Sequence, residues 1–518
     1  MRSSIRCLAL CLLSTMAASA LAQAPAPTPP SWSRDVTAAA QRNFPEYLQF
    51  LAIDNIADKP ADIERNARFL QDAFGKRGFT TQLLDNPAHR PAVLARYDQQ
   101  VPGAKTVLFY IHFDGQPVIP EQWAQKSPFE PVVKRRDASG QWQDADRALL
   151  QATPLDPELR VFARSASDDK GPIMMMLTAI DLLRAQHRAP AFNLKVVLDS
   201  EEEIGSPSLA GMVSANRAQF AADLMVILDG PEHASGKPTL VYGNRGVTQA
   251  TLTVYGPKAP LHSGHYGNYA ANPAFRLASL LASMKNDDGR VTIPGYYDGV
   301  SLSAEDRRVL AATGDDDAAL LKRLGVARAE KVGGNYQEAL QYPSLNVRGM
   351  ASAAVGSKAA NIVPSDAVAE LDLRTTPETD GRRLFQLIRQ HVEKQGFHLV
   401  DAAPTDAERA QYDKLASLKL GSVEAAARSP MDAPVGRWAL GAMRGATGAT
   451  PGADPVRIRM MGGTVPTDAL VDALHLPFVL VPTVNADNNQ HARDENLRIG
   501  NFISGTQTLY SLLTTALP

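Results

Sequence analysis

KTVLFYIHFD (residues 105–114) is an apolar, β-branched run that ends in a histidine and an aspartate. A run of this length and composition is typical of a buried strand. Two similar runs follow, FNLKVVLDS (192–200) and ADLMVILDG (222–230), and helix-like segments at 171–187 and 207–220 separate the three. This βαβαβ rhythm favours a largely parallel sheet covered by helices.

The pattern changes after about residue 238. TLVYGNRGVTQATLTVYG (239–256) alternates apolar and polar residues, as a half-exposed strand does. Later segments are a helix candidate (272–285), a charged and irregular stretch (304–325), a strand pair within 344–377 and a second helix candidate (381–396). Beyond about residue 423 the α/β style resumes with the strand LPFVLVPTV (476–484) and a helical tail (500–517).

We therefore predict an α/β fold with a mainly parallel sheet flanked by helices, interrupted by an inserted α+β two-layer domain. A chain of 518 residues is long enough for two domains. The predicted limits are 36–238 and 423–518 for the two parts of the catalytic domain, and 239–422 for the insertion.

The first residues have the parts of a secretory signal. Arg2 and Arg6 precede the apolar stretch CLALCLLSTMAASA, and Ala20-Leu21-Ala22 is a small-x-small cleavage site. We predict a signal peptide at 1–22, a flexible leader at 23–35, and an exported protein, periplasmic or secreted. Both cysteines of the chain lie in the signal, which excludes thiolate chemistry from the mature protein.

The net charge and the lengths of the apolar segments argue against two other classes, nucleic-acid-binding proteins and membrane-spanning proteins. A formal net charge of −2, with no basic block, argues against nucleic acid as the main partner. No segment after the signal is long and apolar enough to span a membrane, so none is expected to hold the mature protein there.

Acids and histidines follow the predicted strands where those strands end. His112 and Asp114 follow the first strand, the triplet in SEEEIGS (200–206) follows the second, Asp229 follows the third and His491 follows the last. Asp168 and Asp169 lie just before the helix that starts near residue 171. Sites in parallel sheets form outside the carboxyl ends of the strands, so these side chains are expected to meet.

Imidazole and carboxylate without thiolate suit zinc, with cobalt or manganese as alternatives. The donors suffice for two divalent metal ions that share one bridging carboxylate. Paired metals polarise a carbonyl and lower the pKa of water, and a further glutamate can act as general base. The residues therefore predict hydrolysis of an amide or a related acyl bond.

The order of the motifs is similar to that of the di-zinc exopeptidase family, which contains carnosinase-like dipeptidases, glutamate carboxypeptidase, aminoacylase and succinyl-diaminopimelate desuccinylase. The motifs that carry the resemblance are IHFDGQP (111–117), SASDDKG (165–171), SEEEIGS (200–206), VILDGP (226–231), LHSGHYG (261–267) and NQHARDEN (489–496). The likeness covers roughly residues 40–515 and is greatest to the carnosinase-like branch, whose members tend to have aspartate at the position of Asp229.

The resemblance implies a role for each motif residue. His112 and His491 would bind one metal each, Asp168 would bridge them, and Glu203 and Asp229 would complete the ligand set. Asp114 would orient the ring of His112. Glu202 would be the general base for the water that lies between the metals, and Glu201 has no assigned role.

The inserted domain and a late loop supply further candidates. His262 resembles the histidine that stabilises the oxyanion, often across a dimer, with His265 left open as an alternative. Arg374 resembles the arginine that holds a substrate carboxylate, and Gly463 and Thr464 resemble a glycine-rich substrate loop. Two departures are Pro260, where the family has aspartate or glycine, and the absence of the His-Gly-Gly motif of carnosinases.

The predicted function is that of an exported di-zinc metallopeptidase that cleaves dipeptides or short peptides and forms a homodimer through the insertion, which would act as lid and dimerisation domain. One alternative is an N-acyl amino acid amidohydrolase or carboxypeptidase of the same fold. An alternative of another class is an inactive, metal-dependent peptide-binding protein.

Overall fold

The computed structural model describes residues 34–97, 102–447, 454–465 and 468–518. The predicted signal peptide and almost all of the predicted leader lie outside these residues. Within the described ranges, no helix is both long and apolar enough to cross a bilayer.

The strands are β1 (Phe79–Leu84), β2 (Ala92–Tyr97), β3 (Thr106–His112), β4 (Val132–Arg136), β5 (Trp142–Asp144), β6 (Arg160–Phe162), β7 (Asn193–Asp199), β8 (Leu224–Ile227), β9 (Thr239–Val241), β10 (Gly243–Asn244), β11 (Gly246–Tyr255), β12 (Leu261–His262), β13 (Asn346–Ala351), β14 (Ile362–Val363), β15 (Asp366–Thr375), β16 (His398–Leu399), β17 (Leu415–Glu424), β18 (Ala427–Arg428), β19 (Val456–Ile458), β20 (Phe478–Leu480) and β21 (Asn496–Arg498).

The α-helices are α1 (Arg34–Leu51), α2 (Pro60–Gly75), α3 (Lys170–Ala185), α4 (Leu209–Ala215), α5 (Arg217–Phe220), α6 (Ser263–Tyr266), α7 (Pro273–Met284), α8 (Ala304–Ala311), α9 (Asp317–Leu324), α10 (Tyr336–Ala339), α11 (Gly381–Lys394), α12 (Asp406–Gln411), α13 (Pro434–Thr447) and α14 (Ile499–Thr514). Short 3-10 turns occupy Pro120–Gln122, Arg147–Gln151, Glu202–Ile204 and Gly356–Lys358, and a π-helical turn occupies Asp468–Asp472.

The largest sheet has the strand order β1-β2-β7-β3-β8-β20-β9-β19, and its four central strands, β7, β3, β8 and β20, are parallel. Strand β3 is buried because alternate side chains enter two cores on opposite faces. Val107, Phe109 and Ile111 pack in the core that includes α1, α3 and α14. Leu108 and Tyr110 pack in the core that includes α4. This confirms the predicted α/β class with a mainly parallel sheet.

A second sheet, in the order β13-β15-β11-β17-β16, has its own apolar core. Strands β11 and β15 pair antiparallel over their full lengths, and α7 and α11 pack against the sheet. The two helices and the strand pair predicted for this region are therefore present, whereas the single strand predicted at 239–256 is divided into β9, β10 and β11. Thr239–Val241, the first residues assigned to the insertion, nevertheless pair within the largest sheet as β9. The domain limits themselves stay a prediction.

Two further local expectations were wrong. The charged stretch 304–325 is not irregular, because Ser303 forms a capping box with Asp306 at the start of α8 and the side chain of Asp316 caps α9. The single helix expected at 207–220 is instead divided at Asn216 into α4 and α5.

Candidate metal centre

The candidate site lies at the carboxyl edge of the parallel strands. His112 is the last residue of β3 and pairs in register with Asp199, the last residue of β7. On the other side of β3, Tyr110 pairs with Ile227, and Asp229 follows two residues later. The strand-end acids and histidine therefore meet at one edge of the sheet, as the sequence predicts.

The donor atoms form two groups that share one residue. His112, Asp168 and Asp229 form the first group, and Asp168, Glu203 and His491 form the second; within each group the ligand atoms lie within 4.8 Å of one another. The structure thus brings together all five side chains that the resemblance implies as ligands.

Asp168 lies between the two imidazoles. Its Oδ1 is 2.9 Å from His112 Nε2, and its Oδ2 is 3.0 Å from His491 Nε2. Each carboxylate oxygen therefore faces a different histidine, which is the arrangement that a carboxylate bridging two cations requires.

Asp114 is fully buried behind His112 and makes contacts on two sides. Its Oδ1 lies 3.3 Å from His112 Nδ1, which is consistent with the predicted orienting role. Its two oxygens also accept hydrogen bonds from the backbone N–H groups of Glu202 (3.1 Å) and Glu203 (3.0 Å). The Asp114 carboxylate therefore fixes both the imidazole of His112 and the acidic turn that carries Glu201, Glu202 and Glu203. The sequence pattern did not indicate the contact with the turn.

Glu203 Oε2 lies 3.2 Å from His491 Nε2 and accepts a hydrogen bond of 2.7 Å from Gln116 Nε2. Gln116 received no role from the sequence, although it lies within the quoted motif IHFDGQP. Its position four residues after the candidate ligand His112 was the feature of the sequence that could have indicated a place in the site.

The pKa values of the clustered side chains indicate how well these side chains suit a bound cation. Burial raises the pKa of Asp229 to about 6 and that of Glu203 to about 8, and it raises the pKa of Glu202 well above the ordinary range. The hydrogen bond to Asp168 raises the pKa of His491 to about 9. Without a metal, the cluster therefore retains protons that bound divalent cations would displace. Oxygen and imidazole donors fit zinc, cobalt or manganese.

Glu201 differs from its two neighbours. It is fully buried, its Oε1 accepts a hydrogen bond of 3.1 Å from Arg90 Nη1, and its Oε2 accepts one of 3.1 Å from the backbone N–H of Ser208. Its carboxylate therefore faces Arg90 and the backbone of Ser208 rather than the ligand cluster.

The candidate substrate residues meet where the second sheet faces the loop after β19. Arg374, in β15, donates a hydrogen bond of 2.8 Å from Nη1 to the hydroxyl oxygen of Thr464. Its Nε lies 3.6 Å from Asp372 Oδ1. Gly463, next to Thr464, is exposed, so the guanidinium and this loop form one polar surface.

His262 does not join the cluster within this chain. Its side chain is exposed and accepts a hydrogen bond of 3.1 Å from the backbone N–H of Gly264, and its ring lies 4.7 Å from that of His265. In the described part of the chain, no hydrogen bond or ion pair joins His262 to the ligand cluster.

Known proteins are similar to this chain over most of its length. The Cys-Gly metallodipeptidase dug1 of Schizosaccharomyces pombe is 27% identical over 465 residues, which cover 85% of this chain and 87% of that protein. The Beta-Ala-His dipeptidase of Mus musculus is 25% identical over 426 residues, which cover 80% of this chain and 78% of that protein.

Among solved structures, an M20 family metallo-carboxypeptidase from Sulfolobus solfataricus aligns with a TM-score of 0.73 and 26% identity, covering 91% of this chain and 98% of that one. The model of one family, described as Peptidase family M20/M25/M40, matches residues 108–515. This match contains every quoted motif and confirms the predicted family and enzyme class. The chain therefore belongs to peptidase family M20/M25/M40.

Proposed function

We propose that the protein is a two-metal peptidase that hydrolyses dipeptides or short peptides. The observation that carries the proposal is the position of Asp168, whose two oxygens face His112 and His491. Glu202 lies in the short turn that also carries Glu203. The printed names of two relatives, a Cys-Gly metallodipeptidase and a Beta-Ala-His dipeptidase, support a dipeptide substrate.

The ligands would be His112, Asp168, Glu203, Asp229 and His491. A bound pair of divalent cations, zinc in the first instance, would supply Lewis acidity to a scissile carbonyl and to water. Glu202 would accept the proton of the attacking water and donate it to the leaving amine. Asp114 would hold the His112 ring and the Glu202 backbone in place for this transfer.

The terminal carboxylate of the substrate would bind at the surface formed by Arg374, Gly463 and Thr464. A guanidinium group suits a carboxylate because it offers two parallel N–H donors. Arg374 donates a hydrogen bond to Thr464, and this contact holds the guanidinium next to the loop.

The exposed position of His262 supports action in the site of a second copy. The strand β13, at the edge of the second sheet, leaves Val347 and Met350 exposed, and unpaired edge strands are ready sites of strand addition. We therefore include a homodimer, paired through the insertion, in the proposal.

Export is also part of the proposal and rests on the sequence of residues 1–22. Amino-terminal sequencing of protein recovered from its native host tests it. A mature chain that begins close to Gln23 would support export, and an intact Met1 would contradict it.

The decisive experiment is hydrolysis by the zinc-loaded protein of three matched substrate sets: dipeptides with a free amino terminus, the same dipeptides acetylated at that terminus, and N-acyl amino acids. We expect turnover of the first set and at least about a hundredfold lower kcat/KM for the others.

Three alternatives predict different results. The name of the Sulfolobus solfataricus metallo-carboxypeptidase favours an enzyme that removes carboxyl-terminal residues, which would tolerate acetylation. Preference for N-acyl amino acids would favour an amidohydrolase. Binding of peptides without any hydrolysis would favour the non-enzymatic alternative.

A further inference from the structure

Glu495 is a fully buried carboxylate with five hydrogen-bond donors around it. Its Oε2 accepts from Arg164 Nη1 (2.7 Å) and from the backbone N–H of Ser165 (2.9 Å). Its Oε1 accepts from the backbone N–H of Ser167 (3.0 Å), the hydroxyl of Ser167 (2.9 Å) and the backbone N–H of Asp168 (2.9 Å). Every donor lies on the five-residue segment that ends at Asp168.

Glu495 itself lies four residues after His491. Its carboxylate therefore joins the segment that carries one candidate ligand to the segment that carries the bridging candidate. Two further bonds connect the same segments: Ala163 donates its backbone N–H to the Glu495 carbonyl (3.1 Å), and Arg164 Nη2 donates to the carbonyl of Ala492 (3.3 Å).

The surroundings of Glu495 suit a carboxylate. The guanidinium of Arg164 forms an ion pair of 2.7 Å with it, and both side chains are buried. The three backbone N–H groups belong to a loop between β6 and α3, and among the described residues they have no ladder or helix partner. A buried N–H without an acceptor is costly, so the carboxylate determines where this loop can lie.

We propose that Glu495 is a positioning residue of the metal centre: by binding the Arg164–Asp168 segment, it sets the separation of Asp168 from His491. The inference rests on the proposed two-metal function. It assigns Glu495 no contact with metal or substrate, and its effect passes through the backbone of Asp168.

A purely structural role makes a different prediction. If Glu495 only stabilises the fold, its replacement lowers the free energy of unfolding but leaves the folded protein with unchanged metal affinity. If it positions Asp168, the folded protein itself binds metal more weakly. Metal affinity, measured where the protein remains folded, separates the two.

The test variant is Glu495→Gln, which keeps the shape of the side chain. Whichever way the amide turns, its NH2 group faces at least two of the five donors, so the segment must shift. The matched control is Glu232→Gln, because Glu232 is also buried but accepts a hydrogen bond from Asn501 Nδ2 (2.7 Å), and the remaining amide oxygen can still accept it.

Zinc affinity of the metal-free proteins is measured by competition with a chromophoric chelator, alongside the thermal unfolding midpoint and circular dichroism. We expect Glu495→Gln to bind zinc about 10- to 100-fold more weakly. Glu232→Gln should bind zinc as the parent does. Equal affinity of parent and folded Glu495→Gln would overturn the inference.

Two more variants complete the design. If Glu495→Gln does not fold, Ser167→Ala decides, since it removes one of the five donors: zinc affinity lower by about threefold or more supports the inference, and unchanged affinity overturns it. Asp168→Asn tests the underlying centre. If Asp168→Asn binds zinc as tightly as the parent, the two-metal proposal is contradicted. If Asp168→Asn loses zinc affinity while Glu495→Gln binds zinc normally, only the positioning role of Glu495 is contradicted.

Discussion

The three consecutive glutamates of the acidic turn have three different environments. Glu201 is paired with Arg90, Glu203 lies beside His491, and Glu202 is held through its backbone N–H by Asp114. Burial raises the pKa of both Glu202 and Glu203, and the charges of neighbouring acids raise both pKa values further. At this scale, position in the turn gives three residues of the same type three different sets of contacts.

Glu202→Gln tests this division of roles. The amide keeps the size of the side chain but cannot accept a proton, so we expect kcat to fall about 10²- to 10⁴-fold. Zinc content, measured by atomic absorption, should stay at the parent level. The matched variant Glu203→Gln should instead lose zinc. Unchanged turnover of Glu202→Gln would remove it from the mechanism.

The raised pKa values predict how metal binding depends on pH. His491, with a pKa of about 9, and Glu203, with a pKa of about 8, are mostly protonated at pH 7 in the metal-free protein. Both must lose a proton before they can ligate. Zinc affinity should therefore rise as pH increases from 6 to 8, and binding should release protons. Calorimetric titrations in buffers of different ionisation enthalpy measure the release, and an affinity independent of pH would contradict the protonation described here.

At the scale of the element, the site depends on how helix α3 meets the loop before it. Gly171 lies in the first turn of α3, and a Cβ atom there would be 2.5 Å from the carbonyl oxygen of Ala166 and 2.9 Å from Leu497 Cδ2. That carbonyl also accepts a hydrogen bond of 2.6 Å from the Tyr47 hydroxyl. The loop that carries Asp168 therefore packs closely on the start of the helix, and only glycine allows this contact.

Gly171→Ala should lower the free energy of unfolding by about 1 to 3 kcal/mol, because the loop must move to admit the methyl group. Gly211, inside α4, is the control, since a Cβ there would meet nothing within 4 Å. Gly211→Ala should leave stability unchanged or raise it by up to about 1 kcal/mol. Urea unfolding of both variants measures the difference, and equal effects would contradict the packing argument.

At the scale of the whole molecule, the second sheet presents a surface that the single chain leaves uncovered. In the part of the chain that the structure describes, its edge strand β13 pairs with β15 alone, and Val347 and Met350 on it are 40% and 53% exposed. His262 is also exposed. Pairing of two copies along β13 would cover the exposed apolar side chains and is compatible with a histidine that acts across the dimer.

The double variant Val347→Lys, Met350→Lys tests this arrangement. Two like charges placed on a strand edge oppose pairing with a second copy, so light scattering should show a shift from dimer to monomer. Val326→Lys, at an exposed position outside the sheet, is the control and should stay dimeric. We expect the monomer to keep its zinc but lose turnover. A fully active monomer would contradict the action of His262 across the interface.

The sequence by itself determined the class of the fold and the edge at which the site forms, because β-branched runs and the residues that end them are local features, and parallel strands place their carboxyl ends together. The choice of five candidate ligands among the acids and histidines at that edge came from the resemblance of the motifs to a known family. The sequence failed for the stretch 304–325, where capping side chains outweighed the irregular apolar pattern.

Only the tertiary structure decided the partners of the buried acids. Glu201 meets Arg90, Asp114 meets the backbone of Glu202 and Glu203, and Glu495 meets the Arg164–Asp168 segment. These contacts join residues from about 90 to more than 300 positions apart, and no local pattern encodes which distant donor a carboxylate will find. The physical reason is that a buried charge must be satisfied by whatever the fold brings next to it.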